Sequence, residues 1–223
     1  MTRAAVALGL LPVVLMGCAH HGERENLAAN AAPPRHYAGE CQLVGLANGR
    51  TVQLATTDVL GRPVQLGTPG QARPTVVFFV SRTSKDEASE LMQTVDDQIM
   101  TRPIDTVAFV DVTRYAGILH KAASWQLRKS AEEARVKRRQ RREERGVDAS
   151  AEAVDRWHLV GDFSGTELAR FGVAREPAHP IAFVVGCSGA VLGPFHDADS
   201  LLAAVTLASG VRSARSTPPS NRR

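Results

Sequence analysis

The chain has 223 residues, 43% hydrophobic, 22% charged and 5% aromatic, with a formal net charge of +4 and three cysteines. This composition excludes collagen-like, mucin-like and wholly disordered chains, and three cysteines are too few for a disulfide scaffold. The length suits one domain of about 150 residues with appendages, enough to bury a core unaided.

Residues 1–18 carry one charge, Arg3, then an apolar stretch from Ala4 to Met16, then Gly17 and Cys18. That run is a short signal segment, below the length of about 20 that a spanning helix needs. Leu15-Met16-Gly17-Cys18 resembles a bacterial lipobox, with Met16 an unusual choice at its position. The resemblance implies that residues 1–17 are a signal peptide and that Cys18 is lipidated and becomes the N-terminus. It places the chain in the envelope facing the periplasm, and Ala19 in place of Asp favours the outer membrane. Residues 18–49 then read as a tether, with two prolines, many Ala and Asn, and no hydrophobic period. The adjacent His20-His21 pair could touch a metal, but a His pair in a tether is far more often nothing, and neither a metal nor a cofactor is expected.

The folded part is expected over residues 50–210. Val52, Leu54, Val64 and Leu66 alternate with polar residues around the turn chemistry of Asp58 to Pro63, which predicts a β-hairpin. Thr75 to Val80 is a continuous apolar run, as in a buried central strand. Ala88, Leu91, Met92, Val95 and Ile99 follow at helical spacing, and Ser84 with Glu87 predicts a capping box at that helix start. Thr106 to Val110 reads as a second buried strand. A long helical stretch follows, with Ile118, Ala122 and Trp125 on one face. From Lys137 to Arg145 it has no apolar residue, which predicts a solvated helix or disorder, with Gly146 as the stop. Trp157 to Val160 is a short strand, and Asp162 to Gly165 turns into a short helix. Pro180, the strand Ile181 to Val185, a turn at Gly186 to Gly189, a weaker strand near Val191 and a last helix through Leu201 and Val205 complete the domain. Residues 211–223 read as a disordered tail.

This order resembles the thioredoxin-like fold in its redoxin and envelope thiol–disulfide interchange branch. Four stretches carry the likeness: Asp58-x-x-Gly61-x-x-Val64-x-Leu66, Val76-Val77-Phe78-Phe79, Asp162-x-x-Gly165 with the helix after it, and Pro180-x-x-Phe183-Val184-Val185-x-x-x-Gly189. The resemblance implies an α/β, three-layer sandwich with an N-terminal β-hairpin and a helix–strand insert over residues 113–161. It also implies a cis-proline at Pro180, with His179 and Pro180 facing the active-site loop across a peptide groove.

The departure from the family lies in that loop. The family's chemistry needs a cysteine at the N-terminus of the first core helix, where the helix dipole stabilises a thiolate. This chain has Ser81, Arg82, Thr83 and Ser84 there; one register replaces the two cysteines by Ser81 and Ser84, another by Thr83 and Asp86. A hydroxyl stays protonated near neutral pH, so thiol exchange at the usual site has no support. A hydrolase reading of Ser81 or Ser84 needs a base, for which His158 and His179 are the candidates. The remaining thiols are Cys41 and Cys187, either disulfide-bonded to each other, free, or with Cys187 reactive near Arg175. No copper-carrier pattern, C-x-x-x-C with a distal His, is present.

Residues 128–145 hold nine basic and four acidic residues, and Arg135, Lys137, Arg138, Arg139, Arg141, Arg142 and Arg145 form the candidate basic surface. Behind a lipobox the partner would be anionic lipid or an acidic envelope protein, not nucleic acid. Arg3 contributes +1, this segment +5, four tail arginines +4, and the remaining 13 basic and 19 acidic residues −6. The body is therefore mildly acidic. Three functions stand: a lipid-anchored binding or accessory module without redox activity, a divergent thiol oxidoreductase or peroxiredoxin-like enzyme using Cys187 or Cys41, and an interaction protein working through its basic helix. The first, a non-enzyme, fits the loop chemistry best.

Overall fold

The computed structural model describes residues 50–115 and 117–209. Cys18, Cys41, the signal segment, the tether to residue 49 and the tail from 211 lie outside the described residues. The apolar run Thr75–Val80 forms β3, buried at all six positions. A strand buried on both faces must find hydrogen-bonding neighbours on both edges and a covering layer on each side. Strand β4 (Asp105–Asp111) pairs with it in parallel, and β6 (Ile181–Val185) pairs antiparallel on the other edge. The sheet is completed by β5 (Trp157–Asp162), parallel to β4, and β7 (Val191–Phe195), antiparallel to β6. The order β5-β4-β3-β6-β7 with these directions is that of the thioredoxin-like fold.

Alternation along β3 sends Val76, Phe78 and Val80 to one face and Val77 and Phe79 to the other. Helices α1 (Lys85–Ile99), α2 (His120–Glu144) and α5 (Ala198–Ala208) cover the first face through Leu91, Val95, Ala131, Leu201 and Val205. The hairpin of β1 (Leu54–Thr57) and β2 (Pro63–Leu66), with α4 (Thr166–Phe171), covers the second through Leu54, Leu66, Leu168 and Phe171. Phe79 is the hub of that second layer, with ring centroids 5.3 Å from Phe109, 5.0 Å from Phe171 and 5.9 Å from Phe183. The architecture is a three-layer sandwich with an added N-terminal hairpin. Between β4 and α4 come α2, the one-turn helix α3 (Ala151–Val154) and β5.

Two local expectations change. Position 84 is the N-cap of α1, but its hydroxyl makes no cap hydrogen bond. The side chain is used elsewhere, as described below. The segment after Val136 is helical to Glu144 and docked, not solvated, because buried arginines take the place of an apolar face.

The hairpin is held by an ionic hub and by a close backbone approach. Buried Asp58 accepts hydrogen bonds from the N–H groups of Leu60 and Arg62 at 2.9 and 2.8 Å, and from Arg62 Nε at 2.7 Å. The same guanidinium reaches Asp155 at 2.9 Å and the Trp157 carbonyl at 2.7 Å, tying the turn to the insert. At the other end, Val52 N–H donates to the Gly189 carbonyl at 2.8 Å. A Cβ on Gly67 would stand 2.1 Å from the Val52 carbonyl oxygen and 2.4 Å from Gly189 Cα, and its φ is +61°. Gly61, at φ +81°, has open space around it.

The two glycines separate backbone strain from steric exclusion. Gly61→Ala is expected to cost about 1 kcal/mol, the left-handed penalty alone. Gly67→Ala is expected to cost about 3 kcal/mol or more, because backbone must also move. Chemical denaturation of the two variants, with equal losses, would refute this packing.

Candidate functional site

The loop joining β3 to α1 is a closed cluster of hydroxyls. Ser81 and Ser84 are 2% and 1% exposed. Ser81 N–H donates to Ser84 Oγ at 3.0 Å, Ser84 N–H donates to Ser81 Oγ at 3.2 Å, and the two oxygens lie 3.1 Å apart. The Ser81 hydroxyl donates to the Pro177 carbonyl at 2.8 Å; Thr83 Oγ1 lies 2.7 Å from Ser81 Oγ and 3.3 Å from the same carbonyl. Ser84 therefore serves Ser81 and not the helix end, and Glu87, the other half of the expected capping box, bonds His179 Nδ1 at 3.1 Å. Arg82 is exposed. Both ways of aligning the loop leave it without a cysteine from Ser81 through Ile99.

The facing segment is fastened by a carboxylate. Asp111, at the end of β4, accepts from Glu176 N–H at 2.7 Å, Thr113 N–H at 3.1 Å and Thr113 Oγ1 at 2.8 Å. Burial pushes its pKa up, but these hydrogen bonds outweigh it and hold the carboxyl below the ordinary aspartate value. Glu176 has φ +49°, a conformation rarely adopted by a side-chain-bearing residue, and it pairs with Arg114. The loop thus presents the Pro177 carbonyl to Ser81. Asp162, the partner of Asp111 in the β4–β5 register, accepts from the N–H groups of Gly165, Glu167 and Leu168 at 2.8, 2.9 and 3.0 Å and fastens the start of α4.

The expected cis-proline is corrected. Among the described residues the cis peptide bond is Gly193–Pro194, and His179–Pro180 is trans. Trans is the lower-energy isomer by about 0.5–1 kcal/mol, and Pro180 enters β6 with its carbonyl near His196 Nδ1 at 3.1 Å. His179 and Pro180 do lie beside the start of α1, through the Glu87 contact, but Ser81 and Thr83 bind Pro177 and close the space between loop and loop.

Neither imidazole is hydrogen-bonded to Ser81 or Ser84. His158 lies on β5 beside Val107, which pairs with Val77, so it sits about four residues, or roughly 13 Å, back along the sheet from Ser81. There its Nδ1 is 3.0 Å from Asp58 Oδ2, and burial lowers its pKa although Asp58 pulls the other way. It lines a polar cavity of about 430 Å³ with Arg73, Asp105, Glu152 and Arg156. Those groups form ion pairs with one another, Arg73 with Glu152 at 2.9 Å among them. The hydrolase arrangement therefore has no base at the serines.

Cys187 lies in the β6–β7 turn and is disulfide-bonded. The register sets Ile181 beside Phe79 and Val185 beside Thr75, so Cys187 lies beyond the opposite end of β3 from Ser81, roughly 20 Å away. Arg175, the one nearby cation in sequence, is at the Ser81 end, near the Ser164 carbonyl at 3.4 Å, and not beside Cys187.

The basic surface is also corrected. Arg138 and Arg142 are buried. Arg138 meets Asp96 at 2.7 Å, Arg141 reaches Asp96 at 3.4 Å, and Arg145 meets Asp97 at 2.7 Å. Arg135 meets Asp155 at 2.6 Å, and Arg142 binds the Asp148 carbonyl. The last turn of α1 carries two carboxylates and no basic residue, which the helix dipole disfavours; the arginines of α2 supply the missing charge. Burial pushes the Asp96 carboxyl up and the Arg138 guanidinium down, the signature of a pair that has left water. Lys137 and Arg139 remain exposed.

No family model and no curated protein matches the chain. Solved structures similar to it include the MTB protein dsbF (18% identity, 70% of this chain and 95% of that chain, TM-score 0.41). The pneumococcal exposed lipoprotein thioredoxin Etrx1 of Streptococcus pneumoniae is another (13%, 70% and 99%, TM-score 0.45). A third is a thioredoxin-family thiol:disulfide interchange protein of Chlorobium tepidum (15%, 74% and 100%, TM-score 0.39). The fold assignment rests on strand order and direction, and these likenesses carry no chemistry to this chain.

Asp111 gives a test of the loop anchor. Its folded-state pKa lies below 3.8, so its contribution is present above that pH and is lost as pH falls through the folded value. Asp111→Ala is expected to cost about 2–3 kcal/mol at neutral pH, from three lost hydrogen bonds to a charged acceptor. Calorimetry down the pH scale should show the gap to the parent protein narrowing below about pH 4. A gap independent of pH would refute the anchor.

Proposed function

We propose that this chain is an envelope-anchored, thioredoxin-like lipoprotein that is redox-inactive at the usual site and works as a binding or accessory module. The observation that carries the reading is Ser81: it stands at the end of the central strand, buried, with its hydroxyl donated to the Pro177 carbonyl at 2.8 Å. Such a hydroxyl is not ionised and is engaged in hydrogen bonds within the loop, and no histidine is bonded to it. The disulfide at Cys187, at the far end of the sheet, argues against a reactive thiol there. Cys41 is its proposed partner. The Leu15-Met16-Gly17-Cys18 motif supports lipidation at Cys18, a periplasm-facing position and, through Ala19, the outer membrane. Among the described residues no helix is long and apolar enough to cross a membrane. The inward-turned arginines of α2 leave less support for a partner bound through the basic helix, so an envelope protein is the proposed partner class.

The protein should reduce insulin no faster than the added reductant alone, and Cys41→Ala with Cys187→Ala should change nothing. Insulin reduction or peroxidase activity that survives the double substitution would overturn the reading. Separately, Cys18→Ser should move the protein from the membrane to the soluble periplasmic fraction; unchanged membrane association would remove the lipoprotein assignment.

A further inference from the structure

Helices α1 and α2 are joined by ion pairs at one end only, where Asp96 and Asp97 meet Arg138, Arg141 and Arg145. Toward the N-terminus of α1 they leave a cavity of about 560 Å³ over the sheet. Its floor is Val110, Leu159 and Trp157, and its walls carry Met92 from α1 and Leu127 from α2. Met92, Val110, Leu127 and Trp157 are only partly buried, so the gap leaves core side chains uncovered. The volume falls within the ~300–1,000 Å³ of small-molecule sites, and a predominantly apolar lining is their usual character. The charged residues that line it are Arg82 and Lys85, both cations, with no carboxylate among the lining. Both are exposed, and neither is engaged in an ion pair, in a protein where most neighbouring arginines are.

We infer that this cavity binds a single-chain amphiphile with an anionic head, a fatty carboxylate, with its tail against Met92, Leu127 and Trp157 and its head at Arg82 and Lys85. Apolar walls account for the tail and paired cations without a counter-charge account for the head. The site goes beyond the proposed redox inactivity and does not depend on it, since a thiol at position 81 or 84 would leave the walls in place.

The test uses the full chain with Cys18→Ser, which removes the proposed attachment point of its own acyl groups, and Trp125→Phe. Trp125 is 63% exposed and is the other of the two tryptophans, so the remaining emission reports on Trp157. Dodecanoate below its micelle threshold is expected to shift that emission saturably. Ala134→Phe, which fills the cavity from α2, should weaken binding at least tenfold with the thermal transition kept. Should that variant fail to fold, the surface pair Arg82→Gln and Lys85→Gln decides. It should weaken dodecanoate about tenfold, or ~1.4 kcal/mol, while binding of uncharged dodecanol is unchanged. Absence of saturable binding, or binding untouched by Ala134→Phe in a folded protein, overturns the site. Equal dodecanoate affinity with and without the two cations overturns the anionic head.

Discussion

Strand β3 is buried along its whole length, and the rest of the molecule answers the demands this makes. Its backbone groups require β4 on one edge and β6 on the other; its alternating side chains require a layer on each face. The helical layer and the layer of hairpin plus α4 are the two answers. The ends of the same strand then set where chemistry can occur. One end opens into the Ser81–Ser84 loop, and the other lies next to the turn carrying Cys187. Their separation follows from the length of β3, so no rearrangement of side chains brings the disulfide to the serines.

At the loop, hydroxyls take over a structural task. Three side-chain oxygens and the Pro177 carbonyl satisfy one another, with Ser81 and Ser84 buried and Thr83 at the surface. Asp111 holds the opposing segment against the unfavourable φ of Glu176, so both sides of the contact are fixed. A hydrogen-bonded hydroxyl pair joins the strand end to the first helix.

Charge on α2 shows why a residue count misleads. The arginines of residues 135–145 read as an exposed basic strip, yet five of the six turn toward carboxylates or a carbonyl of the same domain. Of these, the Arg138–Asp96 pair is buried on both sides and pays desolvation for both partners, so its net contribution to stability is small.

The sequence by itself determined the class of fold, the central strand, the first helix and its N-cap position, the entry hairpin, and the absence of a thiol from the usual loop. Those features are local: they follow from hydrophobic period, turn residues and the identity of a few side chains. Only the tertiary structure decided what the side chains at those positions do. Ser84 bonds Ser81 in place of capping the helix, and Ser81 in turn bonds Pro177, 96 positions away in the sequence. Pro180 is trans, and the cis bond falls instead at Gly193–Pro194 on β7. Arg138 is buried because Asp96, on another helix, needs a counter-charge. Asp111 is not singled out by the sequence, because its role rests on Glu176, which nothing in the local sequence brings near. Partners distant in the chain are chosen by how the layers stack, and that choice has no local signature.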